Sequence, residues 1–371
     1  MTEIKGFSYK KIHLIFLILK IYNIKNLYKI YMIKTKKIEK RRKNKLEKNI
    51  NNYINISSNF ESGNIIYKKI ENNNVNLEIK KEPYPKSTKR KYKNWFYFKV
   101  SNINKLTIFK INKLKNYFND WKGYKVCYSY DNKNWKRLKN TKFNSNKKSL
   151  TWKINPKKST IWFAYYPPYP FSKSKKLLSN MKTIGYTKDK NPILMKKIGN
   201  GPKRVWLISG QHSGETINSW ILEGFVKRLL ERKSIVFSKY TFYIVPNLNP
   251  DGNKRGYWYV TSKGINLNRD WLDTKSPEVK AVKNQMKKYG YDLVFDIHGD
   301  EGCKNHFLVR NYYCNHNLFD VINQKLNKKN KNFQLKNYYS STYLKGARDT
   351  LDDYTRGITI EGCMKHNIDN Y

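Results

Sequence analysis

Three apolar, β-branched runs in this chain each end on a side chain able to bind a cation, and that coincidence restricts the fold more than any other feature. Val205-Trp206-Leu207-Ile208 leads through Ser209-Gly210 into Gln211-His212-Ser213-Gly214-Glu215. Asp292-Leu293-Val294-Phe295-Asp296-Ile297 leads into His298-Gly299-Asp300-Glu301, and Arg356-Gly357-Ile358-Thr359-Ile360 into Glu361-Gly362. Short runs of this kind read as buried strands. After the first, Ile217, Trp220, Ile221, Phe225 and Leu229 recur at helical spacing. His212 and Glu215 therefore stand where a strand feeds a helix, three residues apart on one face of its first turn. In an open α/β sheet, sites form in the crevice outside the carboxyl ends of the strands, so the three runs predict a single sheet edge.

A His with an acid three places on is common by chance, and the first pair alone decides little. The set decides more. Two imidazoles and a carboxylate on one ion, with a second carboxylate to handle a proton, are the parts of a mononuclear zinc hydrolase. His212, Glu215 and His298 are the expected ligands of one Zn2+ per chain, and Glu361 is the second carboxylate; cobalt or nickel would accept the same mixed donors.

Between and beyond these stretches lie Asn249-Pro250-Asp251-Gly252 and Asn266-Leu267-Asn268-Arg269-Asp270-Trp271. In this order the motifs resemble those of the zinc metallocarboxypeptidases, with the wording of the cytosolic carboxypeptidase branch. Upstream, Asn59-Phe60-Glu61-Ser62-Gly63-Asn64-Ile65, Trp95-Phe96-Tyr97-Phe98-Lys99-Val100 and Ala164-Tyr165-Tyr166-Pro167-Pro168-Tyr169 look like the small β-sandwich domain that precedes the catalytic domain in that branch. The resemblance runs from about residue 54 to the end.

The resemblance implies cleavage at the carboxyl terminus of peptides or proteins. Glu361 would take a proton from the attacking water and pass it to the departing amine. Asn268 and Arg269 match the position where the family clamps the terminal carboxylate, and a guanidinium fork suits that two-point contact. Read from the residues alone, Arg269 could equally form an ion pair with Asp270 or Asp273. The branch includes enzymes that remove glutamate, for which Lys345, Arg348 and Arg356 are candidate pocket cations or else ordinary surface charges. Two departures stand out. Tyr259 occupies a place near which relatives carry an oxyanion-stabilising Arg, with Arg255 as a substitute donor, and the loss of one such donor costs on the order of a hundred- to a thousandfold in turnover. The sequence also stops ten residues after Glu361 (371 − 361), where relatives continue into a last helix.

Composition pulls in another direction, because 76 Lys+Arg against 27 Asp+Glu give a formal net charge of +49. Such a charge draws a chain to nucleic acid, anionic membranes or acidic tails. The Lys residues, however, form no single stripe and no nucleic-acid motif, and Asn, Ile and Tyr are over-used alongside them, as compositional drift would produce. The expected partner is therefore a peptide or protein carboxyl terminus, an acidic one being favoured by the field; nucleic acid and stable membrane insertion are disfavoured. Four cysteines, Cys127, Cys303, Cys314 and Cys363, make no C-x-x-C pair, which favours a reducing compartment and a cytoplasmic setting.

Three regions follow. Residues 1–53 read as a basic, disordered arm, whose apolar run 12–19 is too short for a bilayer. Residues 54–170 read as a β-sandwich with nothing catalytic in it; Tyr124, Val126, Tyr128 and Tyr130 would face inward along a strand ending at Asp131-Asn132. Residues 171–371 alternate strands and helices, as a mixed open sheet flanked by helices requires. Two other functional classes compete with the hydrolase. A zinc-binding pseudoenzyme recognising acidic tails would bind metal without turnover, and a nucleic-acid-binding basic protein would ignore chelators.

Overall fold

The computed structural model describes residues 54–115, 117, 120–311, 316–333, 338–340 and 356–365, together with 32–37 and 39 of the amino-terminal arm. Those arm residues are helical (α1); the rest of the arm, including the run 12–19, lies outside the described residues, as do Lys345 and Arg348. The chain divides into two units, Met1–Ile54 and Asn55–Tyr371, so that the all-β and α/β regions belong to one unit.

The all-β region is two five-stranded sheets. One runs in the order β1 (Asn55–Ser57), β4 (Tyr97–Ser101), β10 (Thr160–Ala164), β6 (Cys127–Ser129), β7 (Lys136–Arg137), the other β2 (Ile66–Glu71), β3 (Asn74–Glu78), β5 (Thr107–Asn112), β9 (Ser149–Ile154), β8 (Lys142–Asn144). Aromatic rings fill the space between them. Phe98 on β4 and Phe163 on β10 meet Phe109 on β5 and Trp152 on β9, all buried, with the Phe109 and Phe163 centroids 4.9 Å apart. Interleaved rings of this size supply a core to strands only two to six residues long.

The strand around Tyr128 departs from the alternation its sequence suggests. It is paired only over Cys127–Ser129, and there Cys127 and Ser129 are buried while Tyr128 and Tyr130 are half-buried, edge to face at 5.8 Å. A tyrosine can cover a surface with its ring while its hydroxyl stays wet, so ring size alone misreads the inward face. The turn itself stands where expected, with Asn132 at φ 60 and Asp131 Oδ1 accepting the N–H groups of Lys133 and Asn134.

The α/β region is built on an eight-stranded mixed sheet in the order β11 (Lys182–Tyr186), β12 (Pro192–Ile198), β14 (Tyr240–Val245), β13 (Lys203–Ser209), β15 (Leu293–Asp300), β18 (Gly357–Cys363), β16 (Phe307–Asn311), β17 (Tyr338–Ser340). Strands β14, β13, β15 and β18 run parallel, and β12 and β16 flank them antiparallel. Both sheet faces are covered. Trp206, Ile208, Tyr243 and Val245 pack with Val279, Val282 and Met286 of α6 (Pro277–Tyr289), while Val205, Leu207, Phe242 and Ile244 pack with Leu222, Val226 and Leu229 of α3 (Ile217–Glu231). Strands buried on both faces read as continuous apolar runs, which is why β13 is so conspicuous in the sequence. The shorter helices are α2 (Phe171–Ser174), α4 (Lys233–Val236) and α5 (Pro250–Arg255), with α7 (His316–Lys329) beside β16. The chain leaves β13 for β14 on one side and reaches β15 on the other, so the turn after β13 lies where the strand order reverses, the place at which such sheets bind ligands.

Candidate active site

Each of the three sheet-edge motifs arrives on its own strand. His212 and Glu215 follow the end of β13; His298 and Glu361 lie within the last turns of β15 and β18 and are direct partners in the parallel register. Ligand atoms of His212, Glu215 and His298 fall within 4.8 Å of one another, and all three residues are buried.

The hydrogen bonds around the two rings reveal what the cluster fits. His212 Nδ1 faces Glu215 Oε1 at 2.7 Å and His298 Nδ1 faces Glu215 Oε2 at 3.1 Å. Each ring's outer nitrogen meets an oxygen acceptor: His212 Nε2 meets Asn266 Oδ1 at 3.0 Å, and His298 Nε2 meets Asp296 Oδ1 at 3.2 Å. The Asn266 amide is oriented by the N–H of Asn268, which donates to the same Oδ1 at 3.0 Å. At His298 the Gln211 Nε2 also lies 3.3 Å from the outer nitrogen; with the ring protons on Nε2, toward Asn266 and Asp296, two Nδ1 lone pairs converge on both oxygens of one carboxylate. That arrangement is repulsive unless a cation or extra protons lie between them, and it is the donor set of a zinc site with its outer hydrogen bonds in place.

Electrostatics express the same preference. Burial raises the Glu215 carboxyl, but the His212 and His298 imidazoles overcome it and hold it at about 2. Burial lowers His298, and Asp296 and Glu215 outweigh it, leaving the ring well above the ordinary histidine range. Glu361 behaves oppositely. Burial, reinforced by Glu215, Asp300 and Asp296 against the pull of His298, pushes its carboxyl well above the usual range.

The outer shell reaches further than the sequence motifs suggested. Gln211 Nε2 donates to Asp296 Oδ1 at 2.6 Å, and its Oε1 accepts from Trp271 Nε1 at 2.8 Å, so one buried amide ties the loop after β13 to β15 and to Trp271. Tyr259 lies flat on His212, ring centroids 3.9 Å apart at 21°, and packs on Tyr92 of the all-β region, tilted by 36° at 4.6 Å. Nothing in the spacing of residues 79–96 announced such a role.

Asn268 and Arg269 sit in a short 3-10 helix, Leu267–Arg269, capped by Asn266. Arg269 is exposed and donates to Asn268 O at 2.7 Å. Neither acid weighed as its partner holds it, because Asp270 accepts from Ser276 N, Ser276 Oγ and Lys275 N, and Asp273 pairs with Lys275 at 3.2 Å. Arg269 is close enough to Tyr259 to draw its phenol's proton affinity down, against a burial that raises it well above the ordinary range.

Arg255 is not gathered with these groups. At the end of α5 it is half-exposed and bound to Asp189, Nη2 to Oδ2 at 2.8 Å and Nε to Oδ2 at 2.9 Å. For Arg255 to serve as the substitute oxyanion donor, that pair has to break. Gly256, left-handed at φ 68, ends the helix just after it. Arg356 stands before β18, at the end away from Glu361, donating to Tyr291 O at 3.0 Å. Cys363 is buried, with its thiol on Cys303 O at 3.0 Å, and Cys127 is buried and pushed up to about 11. No helix among the described residues is long and apolar enough to cross a membrane.

Residues 171–360 match the family described as zinc carboxypeptidase, 190 of 371 residues (360 − 171 + 1). The chain belongs to the zinc carboxypeptidase family. Residues 56–166 match the cytosolic carboxypeptidase N-terminal domain, which accounts for the all-β region ahead of the sheet. An uncharacterised protein of Zymomonas mobilis is 32% identical over 274 residues, 69% of this chain and 70% of its own length. Cytosolic carboxypeptidase 3 of Mus musculus is 26% identical over 312 residues, 70% of this chain, and the chain spans only 30% of that relative's length. Among solved structures, a metallo-carboxypeptidase from Burkholderia cenocepacia superposes with a TM-score of 0.76 at 25% identity, covering 85% of this chain and 92% of its own. The mixed α/β fold of a zinc carboxypeptidase is thus shared along both regions.

Proposed function

We propose that this chain is a zinc-dependent metallocarboxypeptidase that removes residues from the carboxyl termini of peptides or proteins. The observation that carries the reading is the pair of Nδ1 atoms converging on Glu215, each ring fixed from outside by Asn266 or Asp296. His212, Glu215 and His298 would hold the zinc, which when bound polarises a carbonyl and makes water far more acidic.

The protein's own groups then divide the remaining work. Glu361, level with His298 in the neighbouring strand, takes the proton of the attacking water and passes it to the departing amine. Arg269 and Asn268 bind the substrate's terminal carboxylate, a role supported by a guanidinium that no carboxylate engages among the described residues. A preference for acidic tails is supported by the net charge of +49, which attracts them and loses reach as salt rises; removal of terminal glutamate is the form of that preference the resemblance suggests. A cytoplasmic location agrees with the relatives' name and with the free thiols of Cys127, Cys303 and Cys363 among the described residues.

Mass spectrometry of peptides ending in Glu, Lys or Phe, incubated with the zinc-loaded protein, tests the proposal. Stepwise loss from the carboxyl end is expected, reduced about 10²- to 10⁴-fold in Glu361→Gln. A second reading, a zinc-binding pseudoenzyme that recognises acidic tails, draws on one observation: Arg255 is held by Asp189 while Tyr259 stacks on His212. Zinc binding with no trimming in the parent, and turnover gained in Tyr259→Arg, would decide for it.

A further inference from the structure

A carboxylate from the all-β region reaches the loop that covers His212. Glu82, between β3 and β4, accepts the backbone N–H of Trp258 on Oε1 at 2.6 Å and those of Tyr259 and Val260 on Oε2 at 3.1 and 3.3 Å. Main-chain donors shielded from water need acceptors, and three consecutive ones pointing at one place cannot all be served within the loop. A carboxyl group, with two oxygens able to accept, can serve them together; burial pushes its pKa up, against the pull of these three N–H groups, to about 7.

The loop is gripped on its other sides as well. A Cβ at Gly256 would lie 2.7 Å from Ser62 O and 2.8 Å from Gly63 O. Asn64 Nδ2 donates to Gly256 O at 2.6 Å, and Gly214 N donates to Trp258 O at 2.9 Å. What the loop presents is the Tyr259 ring, stacked on His212 at 3.9 Å and in contact with the Tyr92 ring at 4.6 Å. Asn266 restrains the His212 ring at its edge, His298 meets it at 63° with centroids 4.8 Å apart, and Tyr259 lies stacked on its face.

We propose that Glu82 is a positioning residue of the metal site, gathering the Trp258, Tyr259 and Val260 amides so that the Tyr259 ring fixes the His212 imidazole in its ligating orientation. The role rests on the reading of His212 as a zinc ligand. It makes the all-β region part of the scaffold of the site. Outer-shell partners of this kind typically carry tenfold to a hundredfold of metal affinity or activity.

The test is a double-substitution cycle in the full chain with Glu82→Gln, Tyr259→Leu and the two combined. Gln keeps the size of the side chain but turns one acceptor into a donor facing an N–H. Zinc affinity by chelator competition and kcat on a peptide are each expected to fall about tenfold in either single variant, and the combined variant to be no worse than the poorer single. In histidine-labelled NMR spectra, both singles should lose the upfield ring-current shift of the His212 ring protons.

Additive losses, or a Glu82→Gln protein whose His212 resonances stay in place, would overturn the proposal and leave Glu82 a simple pin between regions. If Glu82→Gln does not fold, Tyr259→Leu decides alone: a tenfold loss of zinc affinity supports the proposal, and parental affinity removes anything for Glu82 to act through. A parent without peptidase activity would sink the hydrolase reading while leaving the zinc-affinity and NMR readouts standing.

Discussion

His212, Glu215 and His298 take their order from the parallel sheet, whereas Tyr259 takes its order from the neighbouring all-β region. The first group is held by close kin in the chain: Asp296 lies on the same strand as His298, and Gln211 precedes His212. The loop above it is held by Glu82, 176 residues before Trp258, and by Asn64, 192 before Gly256. The lesson is that one site is oriented by two unrelated parts of the molecule, His298 by a sheet whose strands are buried on both faces, the face of His212 by a loop that the all-β region holds.

The comparison can be sharpened from the sheet side first. Asp296→Asn keeps the shape but removes the charge behind His298, and zinc affinity should fall about ten- to a hundredfold in a chelator competition. An unchanged affinity would mean that the outer hydrogen bond does not tune the ligand. From the loop side, Gly214→Ala introduces a Cβ 2.5 Å from Trp258 Cε3 and 2.7 Å from its Cα. Ring and backbone must both give way, so the variant should lose about 1–3 kcal/mol in urea denaturation. Parental stability would show that the loop is looser than its contacts imply.

How far these two regions could be read in advance follows from the same distinction. β13, β15 and β18 were legible because burial on both faces leaves uninterrupted apolar runs, and their ends carried recognisable acids and imidazoles. Tyr259 was visible only as a departure, since stacking on His212 depends on Glu82 and Tyr92, and no periodicity links those positions. The choice between a carboxylate clamp and an ion pair for Arg269 stayed open in the sequence for a related reason. Only the structure reveals that Asp270 is consumed by the turn into α6. The inward face at Cys127 and Ser129 was hidden by the bulk of Tyr128 and Tyr130.

The smallest expected effect belongs to Arg255. Its partner is Asp189 and its side chain is 52% exposed, so Arg255→Ala should change stability by no more than about 0.5 kcal/mol and leave kcat near the parent's. A loss on the order of a hundredfold would instead show that Arg255 leaves Asp189 to reach the oxyanion during turnover.

The sheet-edge cluster is the centre of this account, and native mass spectrometry of the intact chain addresses it most directly. One zinc per chain in the parent, lost in His298→Ala while the fold persists, is the predicted result. No zinc in the parent, or zinc retained without His298, would contradict it.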